Sequence, residues 1–148
     1  MRKLATAFAA LLAGASAAQA QISVKLGVLN DRSGVYSDLG GEGSVVAARM
    51  ALEDFKGKGV KAEVVSADHQ NKPDVGAAIA RKWYDQENVD VILDVPTSSV
   101  ALAIAQIAKE KNKLQLNSGA ATSDLTGPAC TLNTIHWAYD TVQLANVT

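Results

Sequence analysis

Cysteine, proline and aromatic residues are scarce in this chain, and charge of neither sign is gathered into runs. The 148 residues include one Cys, three Pro and 5% aromatics, with 14 basic and 15 acidic side chains. The lack of a basic patch argues against a nucleic-acid partner. No serine has glycine two residues before and two after it, so the nucleophile elbow of the α/β-hydrolases is absent. His69 and His136 stand alone, without a second metal ligand at helical or hairpin spacing, and read as ordinary structural or surface residues. No apolar run reaches the roughly 20 residues needed to cross a bilayer. Cys130 is an unpaired thiol, unusual in an oxidising compartment, and is expected either to be buried and inert, the favoured state, or to pair with a cysteine in further chain.

Export is written at the start of the chain. Arg2 and Lys3 open it, Leu4 to Ala13 is almost wholly apolar, and Ala18-Gln19-Ala20 places small residues where a signal peptidase reads. Residues 1–20 are therefore expected to be a cleaved secretory leader. The residue directly after the cleavage point is Gln21 and not a cysteine, which speaks against lipid attachment. The remaining 128 residues carry 12 basic and 15 acidic side chains, enough chain for one modest domain with a core.

From Ile22 onward, two periodicities alternate. Ile22 to Leu29, Ala62 to Ala67, Val89 to Val95, Leu114 to Leu116 and Thr134 to Ala138 read as strands. Between them, Ser44 to Phe55 carries Val45, Ala48, Leu52 and Phe55 at helical spacing. A second helix opens at Pro73 and carries Val75, Ile79 and Trp83 on one face. Thr97, Ser98 and Ser99 are N-cap candidates for a third helix from Val100 to about Lys111, and Thr141 opens a fourth. Apolar strands alternating with helices predict an α/β fold, an open doubly wound parallel sheet covered on both faces.

In such sheets ligands bind at the carboxyl ends of the strands. The loop after the third strand, Pro96-Thr97-Ser98-Ser99, offers hydroxyls and free amides at a helix start, a seat for a carboxylate that simple N-capping also explains. After the fourth strand, Ser118-Gly119-Ala120-Ala121-Thr122-Ser123 lets a ligand approach the backbone closely, although an ordinary tight turn needs the same residues. After the first strand, the glycine-rich loop Asn30 to Gly43 carries Tyr36 and Leu39. Gly41, Gly43 and Asp68 faintly echo a dinucleotide site, but the third glycine position holds Val46, and the loop is too long for a pyrophosphate turn.

Taken in order, several segments resemble the substrate-binding proteins of branched-chain amino acid transporters, the leucine/isoleucine/valine-binding class. They are residues 28–34, 43–55, 66–73, 96–103 and 118–126. The resemblance implies a type I periplasmic binding fold of two α/β lobes that close on a ligand by hinge motion. It implies residues 21–138 as the first lobe, and 139–148 as the first crossover and the start of a second lobe. Carried over residue by residue, Ser99 with Ser98 holds a ligand carboxylate. Thr122, next to Ala121, contacts the carboxylate or an amino group, the Ala120 carbonyl accepts from an amino group, and Leu39 lines the side-chain pocket. The ligand is a small carboxylate: a branched-chain or other amino acid, or an aromatic or organic acid. The expected partner is an inner-membrane ABC permease, the location the periplasm and the complete protein a monomer, with no enzymatic activity and no cofactor. The acidic group that would fix an amino group is expected in the second lobe, so amino acid against plain acid stays open. A chain holding one lobe is expected to bind weakly. Rival readings are a sensor of the same fold and, less favoured, a secreted Rossmann-type enzyme that would bind a nicotinamide.

Overall fold

The computed structural model describes residues 21–147 apart from positions 56 and 58. The expected leader, residues 1–20, lies outside the described residues. Among the described residues five strands form one sheet: β1 (Ile22–Asn30), β2 (Val60–Asp68), β3 (Val91–Asp94), β4 (Leu114–Asn117) and β5 (Thr134–His136). Their order is β2-β1-β3-β4-β5, and every neighbouring pair is parallel. Among the described residues four α-helices accompany them: α1 (Gly41–Asp54), α2 (Pro73–Asp85), α3 (Ser98–Lys111) and α4 (Thr141–Val147). The chain starts near the middle of the sheet, winds outward through β2, then crosses back to β3. That reversal at β1 and β3 is where a doubly wound sheet opens a crevice.

The two faces are covered unequally. Leu29 and Ile92 pack against Ala80, Trp83 and Tyr84 of α2 and against Val100, Ile104, Ala105 and Ala108 of α3, forming the buried core. These helices carry apolar residues at three- and four-residue spacing, so one stripe of each faces the sheet. On the opposite face α1 lies over Val24, Leu26, Ala62 and Leu93 and buries only Gly41 and Val45. On β4 and β5, Leu114 and Ile135 remain exposed. The expected coverage of both faces is therefore full on one side and thin on the other.

Element ends follow local chemistry. Pro73 occupies the first turn of α2, where its missing N–H costs nothing. Asn112 ends α3 in the left-handed conformation at φ 50°, its N–H reaching the Ala108 and Lys109 carbonyls. α1 begins at Gly41, three residues before its expected start, and ends before Phe55, which is exposed. β3 begins at Val91, two residues after the expected Val89, and ends before Val95, where Asp94 and Val95 both turn left-handed, at φ 77° and 56°. β5 stops at His136, two residues short of the expected Ala138. Cys130, expected to be buried, is exposed in the loop before β5, since the backbone there turns through Gly127 and Pro128 on the surface and brings no apolar partner over it.

Three positions in this frame yield tests. A Cβ on Gly27 of β1 would lie 2.5 Å from Trp83 Cζ3 and 3.2 Å from Val89 Cγ1. Gly27→Ala is expected to cost about 1–3 kcal/mol by overpacking, read as a lowered denaturation midpoint. Gln115 is fully buried in β4, and neither its side-chain oxygen nor its nitrogen has a hydrogen-bond partner among the described residues. Gln115→Met removes that unmet polarity at similar volume and should raise the midpoint, by about 1 kcal/mol. His69 is fully buried after β2, its Nδ1 accepting from the Asn71 amide at 3.0 Å. Burial holds its pKa below the ordinary 6.5, against the opposing pull of Asp31, Asp68 and Asp94. The unfolded chain therefore takes up this proton more readily than the folded one. Stability should be full above about pH 6.5 and fall as pH drops below it. Urea melts between pH 7.5 and 5.5 should show the decline, and His69→Gln should flatten it.

Candidate functional site

At the carboxyl edge of a parallel sheet the backbone leaves its ladder, and buried N–H and C=O groups need other partners. Buried Asn and Asp side chains meet that need here. Asn117, fully buried at the end of β4, donates from Nδ2 to the Val95 carbonyl at 2.9 Å. Its Oδ1 accepts from the amides of Ala120 at 2.9 Å and Gly119 at 3.3 Å. One side chain thus ties the loop after β3 to the loop after β4. The Ser118 amide donates to the Asp94 carbonyl at 3.3 Å, adding a second tie.

The long loop after β1 is ordered in the same way. Asp31, fully buried, accepts from the amides of Gly34 at 2.7 Å and Tyr36 at 3.0 Å. Asp68, at the end of β2, accepts from the Ser33 hydroxyl at 2.7 Å and from the amides of Gln70 at 2.7 Å and Arg32 at 3.1 Å. Partial burial alone would raise the Asp68 pKa, but these donors together with the Arg32 charge hold it below the ordinary carboxylate value. Asp68, one of the residues that echoed a dinucleotide site, is thereby committed to holding its own loop.

Between these loops lies a cleft of about 540 Å³. Tyr36, Leu39, Gly40 and Ser44 wall one side, Asp94, Pro96 and Ser98 the floor, and Ser118, Gly119 and Ala121 the other side, with Tyr139 and Leu144 at its edge. Of the residues expected from sequence, the structure brings Leu39, Ser98 and Ala121 together on it. The other three stand elsewhere. Ser99 is exposed at the second position of α3, and Thr122 Oγ1 accepts from the Asp124 amide at 3.3 Å, opening a short 3-10 helix at Ser123–Leu125. Ala120 is fully buried, and its carbonyl lies 2.6 Å from His136 Nε2. A carbonyl can only accept, so His136 carries its proton on Nε2 and occupies one lone pair of that oxygen.

The expected N-cap role of Ser98 and Ser99 is corrected: both lie inside α3, and Thr97 is the cap residue. Thr97 caps without a side-chain bond to the helix, because its hydroxyl donates to Asn71 Oδ1 at 2.8 Å. The first amides of α3 are thereby left for other acceptors. Sequence reasoning missed Asp94 and Tyr139, and named Ser118 only as part of the loop after the fourth strand. Asp94 sat at the end of an apolar strand, and Tyr139 in a segment read as connection. No motif marks either. Among the described residues, no group of three or more His, Cys, Asp or Glu side chains is placed to hold a metal ion.

Comparison with known proteins agrees with this architecture. A family model described as periplasmic binding protein matches residues 23–148. No curated protein matches the chain. Among solved structures, a periplasmic binding protein from Burkholderia mallei is 46% identical over 83% of this chain and 33% of its own, with a TM-score of 0.80. A branched chain amino acid ABC transporter periplasmic ligand-binding protein from Burkholderia xenovorans LB400 is 42% identical over 84% of this chain and 36% of its own, at a TM-score of 0.75. A solute binding protein of an ABC transporter from R. palustris, solved in complex with benzoate, is 25% identical over 85% of this chain and 35% of its own, at a TM-score of 0.77. The chain thus spans about a third of the length of these relatives. Members of the matched family are transport receptors, not enzymes. With its parallel sheet wound about a cleft at the carboxyl ends of β1, β3 and β4, the chain belongs to the periplasmic binding protein family.

Proposed function

We propose that this chain supplies one side of the binding cleft of a periplasmic receptor that captures a small carboxylate and delivers it to an ABC permease. The observation that carries this reading is the cleft itself. It gathers a free helix start, a serine hydroxyl and glycine-lined backbone at the carboxyl edge of the sheet. Residues 21–138 form the first lobe, and 139–148 lead into a second lobe that closes over the ligand. Removal of residues 1–20 releases the mature receptor into the periplasm, where it acts as a monomer.

In this reading Ser98 and the first amides of α3 hold the ligand carboxylate, with Ser99 beside them. Leu39 packs against the ligand side chain, and the backbone around Ala120, Ala121 and Thr122 contacts its polar end. The ligand is an amino acid, as the name of the Burkholderia xenovorans relative suggests, or an aromatic acid, as in the R. palustris complex.

Calorimetric titration of the full-length protein against aliphatic amino acids and benzoates tests the proposal. One small carboxylate should bind, and Ser98→Ala should weaken it by roughly tenfold, the loss of one hydrogen bond to a charged group. A protein that binds no carboxylate across this panel would not be such a receptor.

A further inference from the structure

Asp94 is the only charged side chain among the described residues lining the cleft. It is 9% exposed, and its carboxylate makes only long contacts. Asn30 Nδ2 approaches Oδ2 at 3.3 Å, and Ser118 Oγ approaches Oδ1 at 3.4 Å. No salt bridge to it is found among the described residues. A buried carboxylate normally collects short bonds from amides or a cation. Asp31 and Asp68, nearby on the same edge, each do so with contacts at 2.7 Å. Asp94 stands apart from both.

Two further features keep that carboxylate open. Asp94 and Val95 are consecutive non-glycine residues at positive φ, and for β-branched Val95 this is a costly conformation. Such strain persists where the surrounding structure holds a side chain in a set direction. Gly40 and Gly119 flank the group: a Cβ on Gly40 would lie 3.3 Å from Oδ2, and one on Gly119 3.2 Å from Oδ1. Side chains at either position would crowd the acid. The adjoining hollow is lined by Val28, Leu93 and Leu116 together with the hydroxyls of Ser44 and Ser118, and neither hydroxyl makes a short bond to Asp94.

We infer that Asp94 is a specificity-determining residue that accepts hydrogen bonds from a ligand ammonium group, so that the cleft selects α-amino acids over plain carboxylic acids. The inference rests on the receptor reading above and narrows it. The start of α3 and Ser98 provide the positive and donor end of the cleft, and Asp94 provides the negative end. A zwitterion with adjacent ammonium and carboxylate groups satisfies both. A plain acid would bring its negative charge beside Asp94 and leave that carboxylate with only the long contacts from Asn30 and Ser118.

The test is a set of matched titrations on the full-length protein. Leucine is compared with 4-methylpentanoate, and phenylalanine with 3-phenylpropanoate, each pair differing only in the amino group. Wild type should favour the amino acid of the bound pair by at least about tenfold. Asp94→Asn should bring that ratio close to one, mainly by weakening the amino acid. If Asp94 only braces the loop after β3, the variant weakens both members equally and the ratio stands, which overturns the inference. Should the variant fail to fold, the wild-type ratio still decides: equal or tighter binding of the desamino acid overturns the inference while leaving the receptor reading intact. A wild type that binds neither member of any pair, nor benzoate, overturns both.

Discussion

All five strands run in one direction, so every strand-to-helix loop leaves the sheet at the same edge and every helix begins there. That edge is where the backbone must find new partners for its donors and acceptors, in a region too crowded for water to supply them all. The rest of the molecule follows from how this is met. Asn117 bridges the loops after β3 and β4, Asp31 and Asp68 brace the long loop after β1, and a cleft is left between them. The fixed polar scaffold and the open space are two results of one constraint.

The energetics divide accordingly. Below the edge, α2 and α3 bury an apolar core against Leu29 and Ile92, and this face supplies most of the stability. On the opposite face α1 is lightly held, with two buried residues among fourteen. Its amino end carries Gly40 and Ser44 to the cleft, so the wall bearing the loop after β1 rests on the less firmly packed side.

Asp94 gives the cleft its chemical character. In a site whose other lining is hydroxyl, backbone and apolar carbon, a single carboxylate sets the local field. The strain at Asp94 and Val95, the two flanking glycines and the long contacts from Asn30 and Ser118 all describe a group kept accessible instead of neutralised. The acidic group that the resemblance placed in a second lobe thus has a counterpart in the first.

Much of the fold was legible in the residues alone, because periodicity and end signals are local. The strand from Ile22, the helix opening at Pro73 and the helix ending near Lys111 each carry their own pattern. The loops that face the cleft were legible too, since a parallel sheet sends them all to one edge. Which side chains line it was not. Ser98 faces the cleft while Ser99 does not, although the two are adjacent and identical, because a helix turns successive residues about 100° apart. Neither Asp94 nor Val95 is a glycine, so nothing local announced the left-handed turn that shortens β3 and aims the acid. Sequence by itself determined the elements, their order and the edge of the sheet at which the cleft opens. Only the tertiary structure decided the cleft's membership and charge, because those depend on strand register bringing residues near 40, 94 and 119 together across the sheet.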